Sequence, residues 1–329
     1  MALASPLLGL PTMADDLVRV EETLRSSVTA EDRYLTEIAS HLILAGGKRQ
    51  RPAFSVLAAG TSFGEARPAA MEVIAGGVSV ELVHLGSLYH DDVMDDAVTR
   101  RTVESVNARW GNLKAILAGD FLLAKASEIA ASLGTEVAGL LAATIGRLCE
   151  GQVAELEHTF DAARTEDQYL TSIAGKTAAL FATACRIGAL VGDLPRDQVD
   201  ALTTFGQRYG MAFQIVDDIL DVIATDEQLG KPAGHDLIEG VYTLPVLRTL
   251  AHDPGPLPGL LGRALDAEEM AKARDHVRQS GQVGSALQTA QAYVEEGLAA
   301  LAEVGQGPAT DTLAATATHL IDRVRAVTD

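Results

Sequence analysis

Apolar residues along this chain recur at the three- and four-residue spacing of helices, and no stretch shows the strict alternation of a half-buried strand. Leu17, Val20, Leu24, Leu35, Ile38 and Leu42 describe one amphipathic helix from Ala14 to Leu44, stopped by Gly46-Gly47. A short helix, Ala53 to Ala59, opens from the cationic turn Lys48-Arg49-Gln50-Arg51-Pro52, where proline is tolerated in the first turn. Met71 to Tyr89 is a longer and almost wholly apolar run. Further helices are predicted over Lys114–Ala130, Val137–Phe160, Tyr169–Val191, Phe205–Ile223 and Val241–Leu250, and Ala267 to the C-terminus reads as two or three more. The pattern predicts an all-α protein.

Composition agrees with it. Hydrophobic residues reach 47% while aromatics are only 4%, the balance of a protein packed from Ala- and Leu-rich helices. A length of 329 residues allows one large domain or two ordinary ones. Residues 1–13 are apolar, contain Pro6 and Pro11, lack a cationic stretch and run into Asp15-Asp16, which predicts a loose leader rather than a signal peptide. No uninterrupted apolar run reaches the ~18 residues of a membrane span, so no transmembrane segment is expected. Cys149 and Cys185 offer no metal spacing and no disulfide framework, and they read as small buried hydrophobes in a reducing cytoplasm.

The formal net charge of −19 argues against a nucleic-acid partner and an anionic membrane surface, since both would need a broad basic face. Lys48, Arg49 and Arg51, and again Arg100 and Arg101, run against that trend and predict pockets for anions. Lys176, after Gly175, is a single cation in a helix with no other until Arg186; a buried lysine of this kind is expected to meet an anion. Lys231 is another isolated cation, in the turn-rich loop Leu229 to Asp236.

Four carboxylates fall within the seven residues His90-Asp91-Asp92-Val93-Met94-Asp95-Asp96, at the end of the Met71–Tyr89 run. On a helix Asp91 and Asp95 project from one face, with Asp92 beside them. Such crowding calls for a cation, and oxygen-only ligation favours a hard ion such as Mg²⁺. Asp217-Asp218-Ile219-Leu220-Asp221 repeats the DDxxD spacing in a second apolar helix. Glu81 and His84 are polar residues in an apolar register, His84 two turns before Asp91 on roughly the same face. Two acidic triplets and cations from separate segments suit a substrate with concentrated negative charge of its own, diphosphate being the simplest. A nucleotide suits them less well, because neither a P-loop nor a GxGxxG follows a strand.

From about Leu42 to about Arg248 the chain resembles the trans-isoprenyl diphosphate synthases, the polyprenyl synthetase family. The likeness rests on Gly46-Gly47-Lys48-Arg49-Gln50-Arg51-Pro52, the first DDxxD followed by Arg100-Arg101, Gly151-Gln152, Lys176-Thr177, Phe213-Gln214 before the second DDxxD, and Gly230-Lys231 with Asp236, in that order and spacing. It implies one all-α domain over 14–329 whose helices surround a deep cavity, as a cytoplasmic homodimer. It also implies elongation of an allylic diphosphate by isopentenyl diphosphate. Asp91, Asp95 and Asp217 would bind Mg²⁺, or Mn²⁺ in its place, with Asp92, Asp218 and Asp221 completing the triplets. Arg100, Lys176, Thr177, Gln214 and Lys231 would contact the allylic diphosphate, and Lys48, Arg51, His84 and Arg101 would hold isopentenyl diphosphate. Asp91, Asp95, Lys176, Asp217 and Lys231 would carry the catalysis. Gly86, Ser87 and Val83, above the first motif, are small where bulky aromatics stop the product short in this family, so a medium or long chain is expected, with geranylgeranyl as the competitor.

Two positions depart from the family pattern. Val241 stands where Lys is common after Glu239-Gly240, and Thr102 stands where Gly often follows the arginine pair. A class I terpene cyclase, or an enzyme that elongates and then cyclises, would ionise the same allylic diphosphate. Against cyclisation alone stands the Lys48, Arg51 and His84 site for a second diphosphate. A non-catalytic subunit of a heteromeric synthase is the remote alternative, and it would be expected to have lost its metal carboxylates.

Overall fold

The computed structural model describes residues 5–229 and 233–328. Its body is built from α1 (Met13–Ser27), α2 (Arg33–Leu44), α3 (Gln50–Gly60), α4 (Met71–Met94), α5 (Asn112–Ser132), α6 (Thr135–Leu156), α7 (Glu166–Val191), α8 (Arg196–Ile223), α9 (Leu244–His252), α10 (Ala267–Gln279), α11 (Gln282–Ala302) and α12 (Pro308–Thr328). The helix α4 packs chiefly on α5, α3 and α7, and α8 packs chiefly on α11, α7 and α12. Thus α7 touches both carboxylate-bearing helices, and the ends of all three meet at one end of the bundle.

The all-α expectation holds, with local differences that have physical reasons. The helix predicted from Ala14 to Leu44 is two helices. Asp32 breaks it, accepting the backbone N–H groups of Tyr34 at 2.7 Å and Leu35 at 3.2 Å as the N-cap of α2. The chain expected as a loose leader is docked: Pro6–Gly9 forms a 3₁₀ turn, and Leu7, Leu10 and Met13 are buried. Residues 1–4 lie outside the described residues. A two-stranded hairpin, Thr99–Arg100 with Val103–Glu104, is too short to leave a periodic trace. Its turn residues Arg101 and Thr102 both have positive φ, at 52° and 66°.

Although aromatics are scarce, Phe54, Phe181, Phe205, Tyr209 and Phe213 gather where α3, α7 and α8 cross, with neighbouring ring centroids from 4.4 Å apart. This cluster seals the core directly beneath the cationic turn. Two helices, Met71–Met94 and Glu166–Val191, are long and apolar enough to cross a bilayer, and 67% and 72% of their most apolar windows are buried in the body. Cys185 is buried as expected, whereas Cys149 is exposed, because that side of α6 faces outward.

Candidate active site

The first carboxylate set sits at the C-terminal end of α4. Asp91 and Asp92 belong to its last turn, and Asp95 is the C-cap, its N–H bonded to the Asp91 carbonyl at 2.9 Å. A helix C-terminus carries partial negative charge, so carboxylates are disfavoured there without cations. Burial, partly offset by Lys176 and Arg100, raises the Asp91 pKa. Burial and then Glu239 push Asp95 up to about 6. Neither side chain accepts a hydrogen bond among the described residues. Asp92 differs: it is buried and takes Arg100 Nε at 2.6 Å. The structure thus pairs Asp92, expected at the metal, with Arg100, expected at the diphosphate.

The second set lies near the C-terminal end of α8 and divides the same way. Asp217 is half-exposed and faces Arg323 of α12 at 3.2 Å. Asp218 is buried, with Tyr169 Oη donating at 2.5 Å and Gln214 Nε2 at 2.8 Å, and burial raises its pKa despite both bonds. Asp221 is buried and accepts the Asp236 N–H at 3.2 Å, tying the returning loop to α8. Of the three carboxylates expected as metal ligands, Asp218 and Asp221 are thus buried and hydrogen-bonded within the fold, and Asp217 is the accessible one.

Beside the first set stands Lys176. It lies in a π-helical turn, Ala174–Ala178, within α7. Such a bulge is common at functional sites because the extra residue redirects side chains out of the helical register. A Cβ on Gly151 would overlap the Lys176 amide, so glycine is what lets α6 approach the bulge. Lys176 Nζ is 2.6 Å from Glu155 Oε1. Burial alone would lower its pKa, but Glu155, Asp91 and Asp95 outweigh that and hold it raised. Thr177 Oγ1 donates to Gln214 Oε1 at 2.7 Å, so Thr177, Gln214, Asp218 and Tyr169 form one network across α7 and α8. Lys231 lies outside the described residues.

A second cationic pocket lies beside the first. Arg51 projects from the first turn of α3 over the Phe181 ring, 4.7 Å from its centroid, and its Nε is buried with no hydrogen-bond partner. Burial lowers its pKa to about 10, still cationic at neutral pH. Arg101, at the hairpin turn, donates to the carbonyls of Leu42 at 3.1 Å and of Gly46. Gly47 has φ +155°, and a Cβ there would come within 2.8 Å of Arg101 Nη1. Lys48 is exposed at the rim. His84 faces these groups, and burial and then Arg51, Arg101, Arg49 and Arg100 hold its pKa well below 6.5, so it is neutral. Arg49, grouped with these cations on sequence grounds, is consumed by Glu21 and by Glu81 at 2.9 Å.

Of the residues expected to gauge product length, Val83 is fully buried and Ser87 half-buried. Gly86 also lies at a helix crossing. A Cβ on it would meet the Gly119 carbonyl of α5 at 3.1 Å, so it serves the α4–α5 crossing. Sequence reasoning missed Glu155, Tyr169 and Arg323; only Glu155, charged in an apolar helix, left a signal.

This geometry can be set beside known proteins. The sequence profile described as polyprenyl synthetase matches residues 32–277. The chain belongs to that family. It is 40% identical to the heptaprenyl diphosphate synthase component 2 of Geobacillus stearothermophilus, covering 87% of this chain and 89% of that one. It is 38% identical to the nonaprenyl diphosphate synthase of Mycobacterium tuberculosis, covering 93% and 92%. The crystal structure of a Caulobacter crescentus polyprenyl synthase complexed with calcium and isoprenyl diphosphate superposes with a TM-score of 0.89 at 30% identity, covering 98% of this chain and 99% of that one. As a polyprenyl synthetase, this chain is a prenyltransferase that makes polyprenyl diphosphates.

Proposed function

We propose that this polyprenyl synthetase condenses isopentenyl diphosphate with an allylic diphosphate, in a Mg²⁺-dependent reaction, to give a longer all-trans polyprenyl diphosphate. The observation that carries this reading is the presence of two charged sites side by side. One is the Asp91 and Asp95 pair beside Lys176, which Asp217 is proposed to join; the other is the Lys48, Arg51 and Arg101 pocket around neutral His84. An allylic diphosphate with divalent ions fits the first, and a second diphosphate without metal fits the second.

The donor chemistry suits Mg²⁺. The carboxylates offer only oxygen, and among the described residues no three of them converge closely enough to cage an ion. Mg²⁺ characteristically takes one or two carboxylates and completes its shell with water and substrate phosphate; Mn²⁺ would accept the same donors. Bound there, the metal would neutralise charge on the departing diphosphate.

The chain's own residues do the rest. Lys176, held by Glu155, presents a fixed ammonium to the leaving diphosphate and favours ionisation of the allylic C–O bond. Thr177, Gln214 and Lys231 are proposed to share its contacts, and Arg100 to do so from its place on Asp92. Lys48, Arg51, His84 and Arg101 hold the second diphosphate so that its double bond attacks the allylic cation, and the apolar walls exclude water. Proton loss, to the released diphosphate, completes the five-carbon extension.

A medium or long product is the favoured outcome. It is supported by the small Ser87 and Val83, and by the heptaprenyl and nonaprenyl names of the relatives. A homodimer is supported by an apolar face on the antiparallel neighbours α5 and α6, where Leu113, Ile116, Leu117, Val153 and Leu156 are exposed. Because the Geobacillus relative is named a component, a complex with a different chain is the second reading. We place the enzyme in the cytoplasm, where an exposed thiol such as Cys149 stays reduced. Stripping divalent ions with a chelator and adding Mg²⁺ back tests the reaction: incorporation of labelled isopentenyl diphosphate should vanish and return. Undiminished incorporation after chelation would defeat the proposal.

A further inference from the structure

Glu81 lies on α4, three residues before His84, with 2% exposure in an otherwise apolar stretch. A buried carboxylate is retained only where cations surround it. Its Oε1 takes Arg49 Nη1 at 2.9 Å. Arg49 in turn binds Glu21 and donates from Nη2 to the Ile43 carbonyl at 3.0 Å, at the end of α2. Arg101 clamps the same turn from the other side through the Leu42 and Gly46 carbonyls. The turn between α2 and α3, which carries Lys48 and leads into Arg51, is therefore held by two guanidinium groups, one of which ends on Glu81. Three arginines are gathered in one partly buried neighbourhood, and an arginine cannot relieve repulsion by losing its proton. Glu81 is also the foremost favourable charge felt by both Arg51 and Arg101.

We infer that Glu81 is a positioning residue for the isopentenyl diphosphate pocket: it is the buried counter-charge that fixes Arg49 and keeps Arg51 and Arg101 gathered before the second diphosphate arrives. The inference rests on the reading of Lys48, Arg51 and Arg101 as that pocket. Without the Glu81 charge the repulsion between Arg51 and Arg101 would be less opposed, and the incoming diphosphate would have to overcome it. The consequence is selective. Isopentenyl diphosphate should bind more weakly, while the allylic site, organised by Lys176 and Glu155, should be untouched.

Steady-state kinetics on the purified full-length enzyme, varying each substrate in turn, test this. Glu81→Gln keeps the shape and removes the charge. It is expected to raise KM for isopentenyl diphosphate about tenfold while the allylic KM stays within about twofold. Glu81→Asp should recover part of the loss, and Glu21→Gln, at the partly exposed partner of Arg49 Nε, should have little effect. Should Glu81→Gln fold poorly, the double variant Glu81→Met/Arg49→Met replaces the buried pair with apolar volume, a change proteins commonly tolerate. It should still show the raised KM, because Arg51 and Arg101 remain without their anion. An equal rise in both KM values, a loss confined to kcat, or a normal KM in the double variant would overturn the inference. Arg51→Gln separates the layers. If it leaves KM for isopentenyl diphosphate unchanged, the pocket reading itself fails; if it raises that KM and Glu81→Gln does not, only the role of Glu81 fails.

Discussion

Arg323 Nη2, on the C-terminal helix α12, lies 3.2 Å from Asp217 Oδ1, so the end of the chain supplies the counter-ion of the most accessible carboxylate in the second triplet. A divalent ion arriving at Asp217 must compete with that guanidinium. Arg323→Gln is therefore expected to tighten Mg²⁺ binding to the substrate-free enzyme. A partly exposed pair is worth about 0.2–1 kcal/mol, so the gain should be at most about fivefold. Mg²⁺ titration followed by thermal shift measures it, and weaker binding by the variant would contradict the competition.

Lys176 is the cation held by Glu155 beside Asp91 and Asp95. Removing a preorganised charge that stabilises a leaving group costs on the order of 10²–10³ in rate. Lys176→Ala is expected to lower kcat/KM for the allylic substrate by that factor and to leave KM for isopentenyl diphosphate near its original value. A variant losing both to the same degree would show that Lys176 serves the fold rather than the allylic site.

His84 gives the protein a pH dependence of definite sign. Its folded pKa is held well below 6.5, by burial first and by Arg51 next, whereas in the unfolded chain it takes up a proton near its ordinary value. Below pH 6.5 the unfolded state thus binds the extra proton, and stability falls as pH drops, by up to ~1.4 kcal/mol per unit. Between pH 7 and pH 5 the wild type should lose about 1–2 kcal/mol more than His84→Gln, read from denaturant unfolding at each pH. Parallel losses would mean that His84 is not held neutral.

Thr102 occupies a left-handed turn position, φ 66°, that β-branched residues adopt at a cost. It is exposed, so replacing it forfeits little packing. Thr102→Gly should stabilise the protein by about 1 kcal/mol with activity retained, as relief of left-handed strain requires. A drop in melting temperature would show that the Thr102 hydroxyl, which donates to the Arg101 carbonyl at 2.5 Å, matters more than the strain.

The helical architecture was legible because long amphipathic and apolar runs dominate the chain. Boundaries set by single polar contacts were less so: Asp32 ends one helix and starts the next through two hydrogen bonds that periodicity does not register. At the site, the acidic clusters were visible, but not which of their carboxylates take partners from elsewhere in the chain. That division depends on residues distant in sequence, since Arg100 occupies Asp92, Tyr169 occupies Asp218 and the Asp236 amide occupies Asp221. The ion pairs of Arg49 were hidden for the same reason, because nothing local indicates that Glu21 and Glu81 converge on it. Arg323 left no signal because its partner is 106 residues away.

The most direct measurement incubates the purified enzyme and Asp91→Ala with Mg²⁺, farnesyl diphosphate and isopentenyl diphosphate, and separates the extracted products before and after phosphatase treatment. The wild type should yield linear polyprenols that appear only after phosphatase, their length reporting the product, and Asp91→Ala should yield almost none. Volatile hydrocarbon without phosphatase, or full-rate elongation by Asp91→Ala, would contradict the account.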